Sequence, residues 1–270
     1  MSTASMSNAS KSATSKSAEA GNGAPVYKPG EIDFDTLDDT PEDYRKMLRT
    51  LIGKQYVGEI AACEMFSRAA YHLPDPRNKA ALVHTANEEA DHVEMMDDLA
   101  RKVGLDVDAW LARRRLGGTH FLGSEEDVKD WIEVSVFKHM IDRCGRVWLW
   151  SMRNSSFAPY AEVIKPILQD EARHGQDGAE EVVRLCESGH RDAVQERVDY
   201  WFPRGMQLLG KPGSAGNRIA HHYGLKLHDS DEEMAKWIGE LKPAFETADI
   251  ALPGPDAVRE HGVDLGDASW

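Results

Sequence analysis

Two short stretches of the chain repeat the same pair of metal-binding side chains. Residues 89–92 read Glu-Ala-Asp-His and residues 171–174 read Glu-Ala-Arg-His. In a helix, residues three apart lie on one face, so each stretch places a carboxylate beside an imidazole. A single pair of this kind is usually a solvated surface feature. Two such pairs on two helices are typical of four-helix bundles that bind two metal ions through carboxylates and histidines.

The first pair needs a further acid from the preceding helix, which offers Glu59 and Glu64. Two residues of an antiparallel helical hairpin lie at the same height when they are equally far in sequence from the turn. With the turn near residues 74–75, Glu59 lies about 15 residues before it and Glu89 about 15 after it. Glu64 would be displaced by about 7 Å, at about 1.5 Å per residue. Glu59 is therefore the predicted ligand.

The second pair is completed in the same way by a helix that offers Glu133 and Asp142. With the turn near residues 156–157, Asp142 and Glu171 each lie about 14 residues from it. Glu133 would be displaced by about 13 Å. Asp142 is therefore the predicted ligand, and the acid precedes the pair by about 30 residues in both halves. This agreement is expected when two helical hairpins share one metal site.

The chemistry of this set favours two divalent cations. Four buried carboxylates would be too costly to desolvate alone, whereas two divalent ions supply four balancing charges. Oxygen-rich ligation with two imidazoles suits iron, or manganese as the alternative, better than zinc or copper. Two Fe(II) ions can deliver two electrons to O2, so an oxygenase is one predicted function; iron storage or oxidation and peroxide dismutation fit the same set. The predicted metal ligands and catalytic residues are Glu59, Glu89, His92, Asp142, Glu171 and His174, with Asp91, Asp170 and Arg173 as candidates for hydrogen bonds to them.

The helices that must position these residues are indicated by apolar spacing, capping residues and helix-breaking Gly and Pro. Alternating strand patterns are scarce, so the predicted fold class is all-α. The Ser-rich N-terminal stretch holds few large apolar side chains and is predicted to be disordered rather than a signal peptide. The predicted domains are a disordered tail at 1–30, a four-helix bundle at 42–190, and a helical appendage and tail packed on the bundle at 191–270. The predicted helices cover residues 41–71, 76–103, 105–116, 124–154, 158–186, 191–207 and 231–241.

Composition narrows the classes of partner and the compartment. The formal net charge is −14, which disfavours a nucleic-acid partner because phosphate backbones favour Lys- and Arg-rich surfaces. No run approaches the roughly 18 to 20 apolar residues of a membrane span, so no membrane association is expected. Three cysteines without CxxC spacing indicate a reducing compartment, and the predicted location is cytoplasmic.

The residues around the predicted site also resemble a known family. The likeness is carried by residues 59–60 (EI), 88–93 (EEADHV), 140–142 (MID), 156–161 (SFAPYA), 170–174 (DEARH) and 201–210 (WFPRGMQLLG), followed by Asn217, residues 224–226 (GLK) and residues 231–233 (DEE). They are similar to the catalytic subunit of the phenylacetyl-CoA epoxidase family, and the resemblance covers roughly residues 42–258. An Asp as the ligand on the third helix is typical of that family, which independently favours Asp142.

The resemblance implies a ferritin-like four-helix bundle with additional C-terminal helices. It implies the catalytic subunit of a multicomponent diiron monooxygenase, which uses O2 to epoxidise or hydroxylate an acyl-CoA thioester, most typically phenylacetyl-CoA. The implied partners, in a hetero-oligomer, are an NADPH-dependent reductase with flavin and iron–sulfur cofactors and a non-catalytic ferritin-like subunit. The sequence carries no flavin, nucleotide or cluster motif, so the electrons are expected from that separate reductase.

Some positions depart from the family pattern and bear on the substrate. Thr50 and Lys54 stand where relatives carry other polar groups that contact the substrate, and the Gly-rich stretch at residues 116–124 differs from the family's substrate loop. A paralogue that acts on another CoA ester or carrier-bound acid stays open. Asn217 and Lys226 are the candidates for contact with CoA. The alternatives are a ferritin-like hydroxylase of another substrate, such as a tRNA base, which the negative charge disfavours, and a non-catalytic ferritin-like scaffold subunit.

Overall fold

The structure is a computed structural model that describes residues 25–116, 128, 130–266 and 270. Within these ranges the chain forms helices, and its only β feature is an isolated bridge between Ile32 and Phe157. The all-α prediction is confirmed. Two π-helical turns, Lys138–Asp142 and Cys186–His190, interrupt the α-helices. The α-helices are α1 Phe34–Leu37, α2 Glu42–His72, α3 Pro76–Lys102, α4 Val107–Leu116, α5 Trp131–Phe137, α6 Arg143–Met152, α7 Ala158–Leu185, α8 Arg191–Leu209, α9 Ala215–His222, α10 Ser230–Ala248 and α11 Pro255–Glu260.

The α2–α3 hairpin forms one half of the bundle, and its turn follows from local sequence. The Asp75 side chain accepts hydrogen bonds from the backbone N–H groups of Arg77 and Asn78, at 2.7 and 3.1 Å. Pro76 occupies the first turn of α3, where its missing N–H leaves no helical bond unmade. The turn therefore lies where the height argument placed it, and α2 packs against α3.

The other half of the bundle pairs α7 with the run formed by α5, the first π-helical turn and α6. This run begins at Trp131, after Asp130 accepts a hydrogen bond from the Glu133 N–H at 2.8 Å. The predicted start at residues 124–127 lies outside the described residues, and the described helix begins later than expected. The π-helical turn was not predicted, because nothing in a local sequence pattern distinguishes it from α-helix.

The apolar core is divided into two clusters along the bundle. On α2 the buried apolar residues belong to one cluster up to Tyr56 and to the other from Phe66 onward. On α3 the order reverses, with Ala86 in the second cluster and Met96 in the first. The intervening segments of both helices carry the predicted metal ligands. The polar site therefore lies between two apolar layers that hold the helices together.

Among the C-terminal helices, α8 packs mainly on α5 and α6, α10 on α7 and α6, and α9 on α2. Trp201 on α8 donates through its indole N–H to Glu133, and Trp237 on α10 donates to the Met140 carbonyl at 2.8 Å. Helix α10 extends beyond the predicted residue 241 to Ala248, and the short helices α1, α9 and α11 were not predicted. The division into a bundle at 42–190 and an appendage at 191–270 stays a prediction.

Most of the predicted disordered tail, residues 1–24, lies outside the described residues. Its remaining part, residues 25–30, instead lies against the bundle. The Val26 N–H donates to the His222 carbonyl at 2.8 Å and the Gly30 N–H to the Ser155 carbonyl at 2.9 Å. Tyr27 packs against the rings of Tyr44 and Tyr223. Among the described helices, none combines the length and apolar composition needed to cross a membrane.

Candidate metal centre

The structure brings all six predicted ligands together in the middle of the bundle. Each of them is buried, with at most 6% of its surface exposed. They form two groups that share one carboxylate, and within each group the candidate ligand atoms lie within 4.8 Å of one another. Their function as metal ligands stays a prediction. The groups are Glu59, Glu89, His92 and Glu171, and Asp142, Glu171 and His174.

The two acids that the height argument rejected lie elsewhere. Glu64 is exposed on α2 and forms an i,i+4 ion pair with Arg68 at 3.3 Å. Glu133 is buried, but it accepts a hydrogen bond from Trp201 and pairs with Arg197 at 2.7 Å. Neither acid joins the cluster. Height along the helix therefore distinguished the acids of the cluster from the other two, whereas residue type could not.

The two histidine rings are oriented alike. His92 Nδ1 faces the cluster, 3.3 Å from a Glu89 oxygen, while its Nε2 lies 3.2 Å from Asp170 Oδ2. His174 Nδ1 lies 3.3 Å from the other Glu89 oxygen, while its Nε2 lies 2.8 Å from Glu88 Oε2. A carboxylate that accepts the outer N–H fixes the tautomer and leaves the inner nitrogen free to bind metal. Both rings are therefore arranged as metal-ligating imidazoles usually are.

The carboxylates that hold these rings cross between the two helix pairs. Glu88 on α3 binds the ring carried by α7, and Asp170 on α7 binds the ring carried by α3. Arg173 contacts both, with 3.1 Å to Asp170, whereas Asp91 is exposed. Glu88 was missed from the sequence, although a signal was present: an acid directly precedes the Glu of both pairs.

Several buried polar atoms of the cluster lack hydrogen-bond partners in the described chain. They are both Glu89 carboxylate oxygens, the inward Nδ1 atoms of His92 and His174, and Asp142 Oδ2. Unpartnered buried polar atoms are rare in folded proteins, because each loses its hydration without compensation. Here the unpartnered atoms all lie at the centre of the cluster, and all are carboxylate oxygens or imidazole nitrogens, which commonly bind metal ions. The donor set therefore fits divalent cations.

Burial changes the proton affinity of the acids. It raises the pKa of Asp142 to about 8. It also raises the pKa of Glu59 and takes that of Glu171 well above its ordinary range, with repulsion from neighbouring carboxylates adding to the effect. Burial likewise raises the pKa of Glu89, but the two imidazoles outweigh it and the net pKa is lowered. Without cations, some of these acids would therefore hold protons at neutral pH.

The histidine of the first pair shows the converse effect. Burial alone would lower the pKa of His92, but the nearby carboxylates of Glu59 and Glu89 raise it to about 11. A metal ion in the cluster would replace this proton as the positive charge facing the acids. The cluster thus requires positive charge in its centre, from protons or from metal.

A hydrogen-bonded chain that the sequence did not indicate holds one ligand in place. The Tyr160 hydroxyl donates to Gln55 Oε1 at 2.8 Å, and Gln55 Nε2 donates to Glu59 Oε1 at 3.0 Å. All three side chains are buried. The buried Lys138 ammonium, whose charge acts on Asp142 and Glu171, donates to Thr85 Oγ1 at 3.2 Å.

A cavity of about 320 Å³ opens beside the cluster. Three of the predicted ligands line it, namely Glu59, Asp142 and Glu171, whereas neither histidine does. Much of the wall is apolar and includes Phe137 and Trp148. Its size and apolar wall with a few polar groups are typical of small-molecule sites. A molecule in this cavity would approach the cluster from the side of the carboxylates.

Asn217 and Lys226, the predicted contacts for CoA, lie in the wall of the same cavity, as do Thr50 and Lys54. The Lys226 ammonium is already engaged inside the protein, 2.8 Å from Glu233 Oε2 and 3.1 Å from Asn217 Oδ1. A contact with CoA would therefore have to form beside this ion pair or replace it. Their contact with CoA stays a prediction.

Comparison with known proteins adds independent findings. The family described as Phenylacetic acid catabolic protein matches residues 28–264. The chain is 22% identical over 232 residues to one of the subunits of 1,2-phenylacetyl-CoA epoxidase of Escherichia coli (strain K12), which covers 84% of this chain and 75% of that protein. It is 28% identical over 246 residues to benzoyl-CoA oxygenase component B of Aromatoleum evansii, covering 80% of this chain but 52%, about half, of that relative.

A solved structure supports the fold assignment. The chain resembles protein 19 with aldehyde deformylating oxidase activity from Synechococcus, with a TM-score of 0.63 at 18% identity. The likeness covers 85% of this chain and 98% of that one. This likeness, together with the bundle described above, confirms the ferritin-like prediction.

Proposed function

Because the chain belongs to the phenylacetic acid catabolic protein family, we propose that it is the catalytic subunit of a multicomponent diiron monooxygenase. Its proposed reaction is the epoxidation or hydroxylation of an aromatic CoA thioester with O2, with phenylacetyl-CoA as the first candidate. The observation that carries this proposal is the buried set of four carboxylates and two imidazoles with unpartnered atoms facing one centre. The relatives named as an epoxidase and an oxygenase of CoA esters support the reaction class.

The donor set fits iron, with manganese as the alternative, because it is rich in oxygen and contains no thiolate. Two divalent ions would balance the four carboxylate charges. When bound, iron would supply the electrons that reduce O2. The residues that would hold it are Glu59, Glu89, His92, Asp142, Glu171 and His174.

The surrounding residues orient these ligands. Asp170 and Glu88 hold the outer nitrogens of the two imidazoles, which keeps each Nδ1 directed inward. Gln55 holds one oxygen of Glu59, and Tyr160 holds Gln55. The largely apolar cavity wall would keep water from the reacting group of a substrate. The chain thus positions ligands, admits an organic molecule and limits side reactions.

The electrons must come from another protein, since the sequence carries no flavin, nucleotide or cluster motif. We propose two partners: an NADPH-dependent flavin and iron–sulfur reductase, which donates the electrons, and a non-catalytic ferritin-like subunit. Both curated relatives are named as parts of larger assemblies, one as a subunit of its enzyme and the other as a component. A non-catalytic scaffold is the weaker alternative, since the full set of candidate ligands lies together here.

The decisive experiment is to load the purified protein with Fe(II) without oxygen, measure its iron content, and follow its optical and Mössbauer spectra after O2 is added. About two irons per chain and an oxidation whose rate depends on phenylacetyl-CoA are expected. Glu59→Gln should lose iron, whereas Glu64→Gln, an exposed acid on the same helix, should not. Protein that binds no iron would refute the proposal and favour a scaffold. Two irons that do not respond to this ester would direct the search to other thioesters.

A further inference from the structure

Two helical glycines in the cavity wall leave open space where a side chain would be. Gly58 lies on α2 and Gly145 on α6, and both line the cavity. A Cβ atom added at either position would meet no heavy atom within 4 Å. Glycine is among the least favourable residues in a helix interior. Close packing therefore does not account for glycine at either position.

Some other helical glycines of the described chain do have a packing reason. A Cβ at Gly53 would lie 2.6 Å from the Trp110 ring, and one at Gly178 would lie 2.4 Å from the His139 backbone nitrogen. Gly239 on α10 also has open space around it, but it does not line the cavity. Gly58 and Gly145 differ from these glycines because they both have open space where a side chain would be and line the cavity.

The two positions lie close to the predicted ligands. Gly58 directly precedes Glu59, and Gly145 follows Asp142 by three residues, which is about 4.5 Å of helix rise. Asp142 also lines the cavity, is 6% exposed, and has one carboxylate oxygen without a hydrogen-bond partner. The open space at the two glycines therefore lies next to Asp142, a buried acid with one carboxylate oxygen available to bind a ligand.

We propose that Gly58 and Gly145 set the width of the cavity next to the metal ligands and so determine which acyl groups reach them. Two helices that line the same cavity and both lack a side chain there leave room for a flat aromatic ring beside the predicted ligands. A side chain on either would narrow this space and admit only smaller acyl groups. This inference rests on the proposed function, because it assigns the aromatic end of a CoA thioester to that space.

The test compares Gly58→Leu and Gly145→Leu with the matched control Gly239→Leu in the full-length, iron-loaded, oxidised protein. Dissociation constants for phenylacetyl-CoA and acetyl-CoA are measured by isothermal titration calorimetry, so turnover is not required. Both cavity variants should bind phenylacetyl-CoA about tenfold or more weakly, since added side-chain volume excludes the ring. They should bind acetyl-CoA as the wild type does. The control should bind both esters normally.

A second probe separates failure of this inference from failure of the proposed function. Indole has an aromatic ring but no CoA, and its binding to the same proteins can be followed by ligand-detected NMR. If wild-type protein binds neither ester, the proposed substrate class is wrong. Indole binding that is lost in the two cavity variants but kept in the wild type and the control would still show that Gly58 and Gly145 set the cavity width. If neither substitution changes the binding of phenylacetyl-CoA or of indole, the inference that Gly58 and Gly145 set the cavity width is wrong. Should the Leu variants fail to fold, Gly58→Ala and Gly145→Ala decide the question, with a smaller effect in the same direction.

Discussion

We expect Lys226→Met to destabilise the protein by an amount that grows with pH. The Lys226 ammonium lies 2.8 Å from a Glu233 oxygen, and the two side chains are 2% and 0% exposed. Methionine retains an unbranched apolar side chain at this position but removes the charge. The substitution therefore leaves Glu233 as a buried acid that has lost its cationic partner, and the acid must take up a proton or remain charged in the interior.

The magnitude follows from the pKa of Glu233. Burial raises it from 4.5 to about 7, even though Lys226 acts to lower it. An acid with a raised folded-state pKa stabilises the fold fully at low pH, and this stability is lost as pH rises through the folded-state value. Without Lys226 the pKa rises further, so the loss continues above pH 7 at about 1.4 kcal/mol per pH unit. Relative to the wild type, the variant should lose little at pH 6, up to about 1.4 kcal/mol at pH 8 and up to about 2.7 kcal/mol at pH 9.

The assay is urea unfolding of wild type and Lys226→Met at pH 6, 7, 8 and 9, with all proteins in the same metal state. Glu233→Gln provides the control background, because a neutral amide cannot titrate. In that background, the effect of Lys226→Met on the free energy of unfolding should no longer depend on pH. A loss that is equal at every pH, or equally pH-dependent with Gln at position 233, would refute the reasoning.

Three further perturbations test the metal centre and its supporting helices. Asp170→Asn and Glu88→Gln should each weaken iron binding by about 10- to 100-fold, measured by competition with a chelator, because each replaces the charged acceptor at the outer nitrogen of an imidazole with a neutral amide. In metal-free protein, the free energy of unfolding should fall as pH rises from about 4 towards 8, because burial raises the Asp142 pKa to about 8; urea titrations across that range measure it. Gly178→Ala should destabilise the protein by about 1 to 3 kcal/mol in urea unfolding, because its Cβ would lie 2.4 Å from the His139 nitrogen.

Two of these perturbations have a matched control variant, and each of the three has a result that would contradict it. Asp91→Asn removes an exposed acid from α3, and iron binding weakened as much as by Asp170→Asn would contradict a specific function for Asp170. Metal-free protein whose stability stays constant between pH 5 and 8 would contradict the burial of ionisable ligands. Gly239→Ala, at an open helical position, should stabilise slightly. A Gly178→Ala variant as stable as Gly239→Ala would show that the close approach can relax.

Local pattern was sufficient for α2, α3 and α7 of the bundle and for naming the six candidate ligands. Residues close in sequence determine the periodicity of these helices, the turn at Asp75 and Pro76, and the start of α7 at Ala158. Because an α-helix rises by a constant amount per residue, counting from the two turns placed Glu59 and Asp142 at the height of the Glu-x-x-His pairs. The clusters formed by these residues agree with that count.

Tertiary structure alone decided the features that depend on residues distant in sequence. The hydrogen bond between Glu88 and His174 joins residues that are 86 positions apart in sequence. The hydrogen bond from Tyr160 to Gln55 joins residues that are 105 positions apart. The cavity and its two open glycines arise because α2 and α6, which are distant in sequence, both line one space. Local sequence indicates which residues share a helix face, because periodicity is a short-range property. Which faces meet, and what space remains between them, is set by the packing of whole helices.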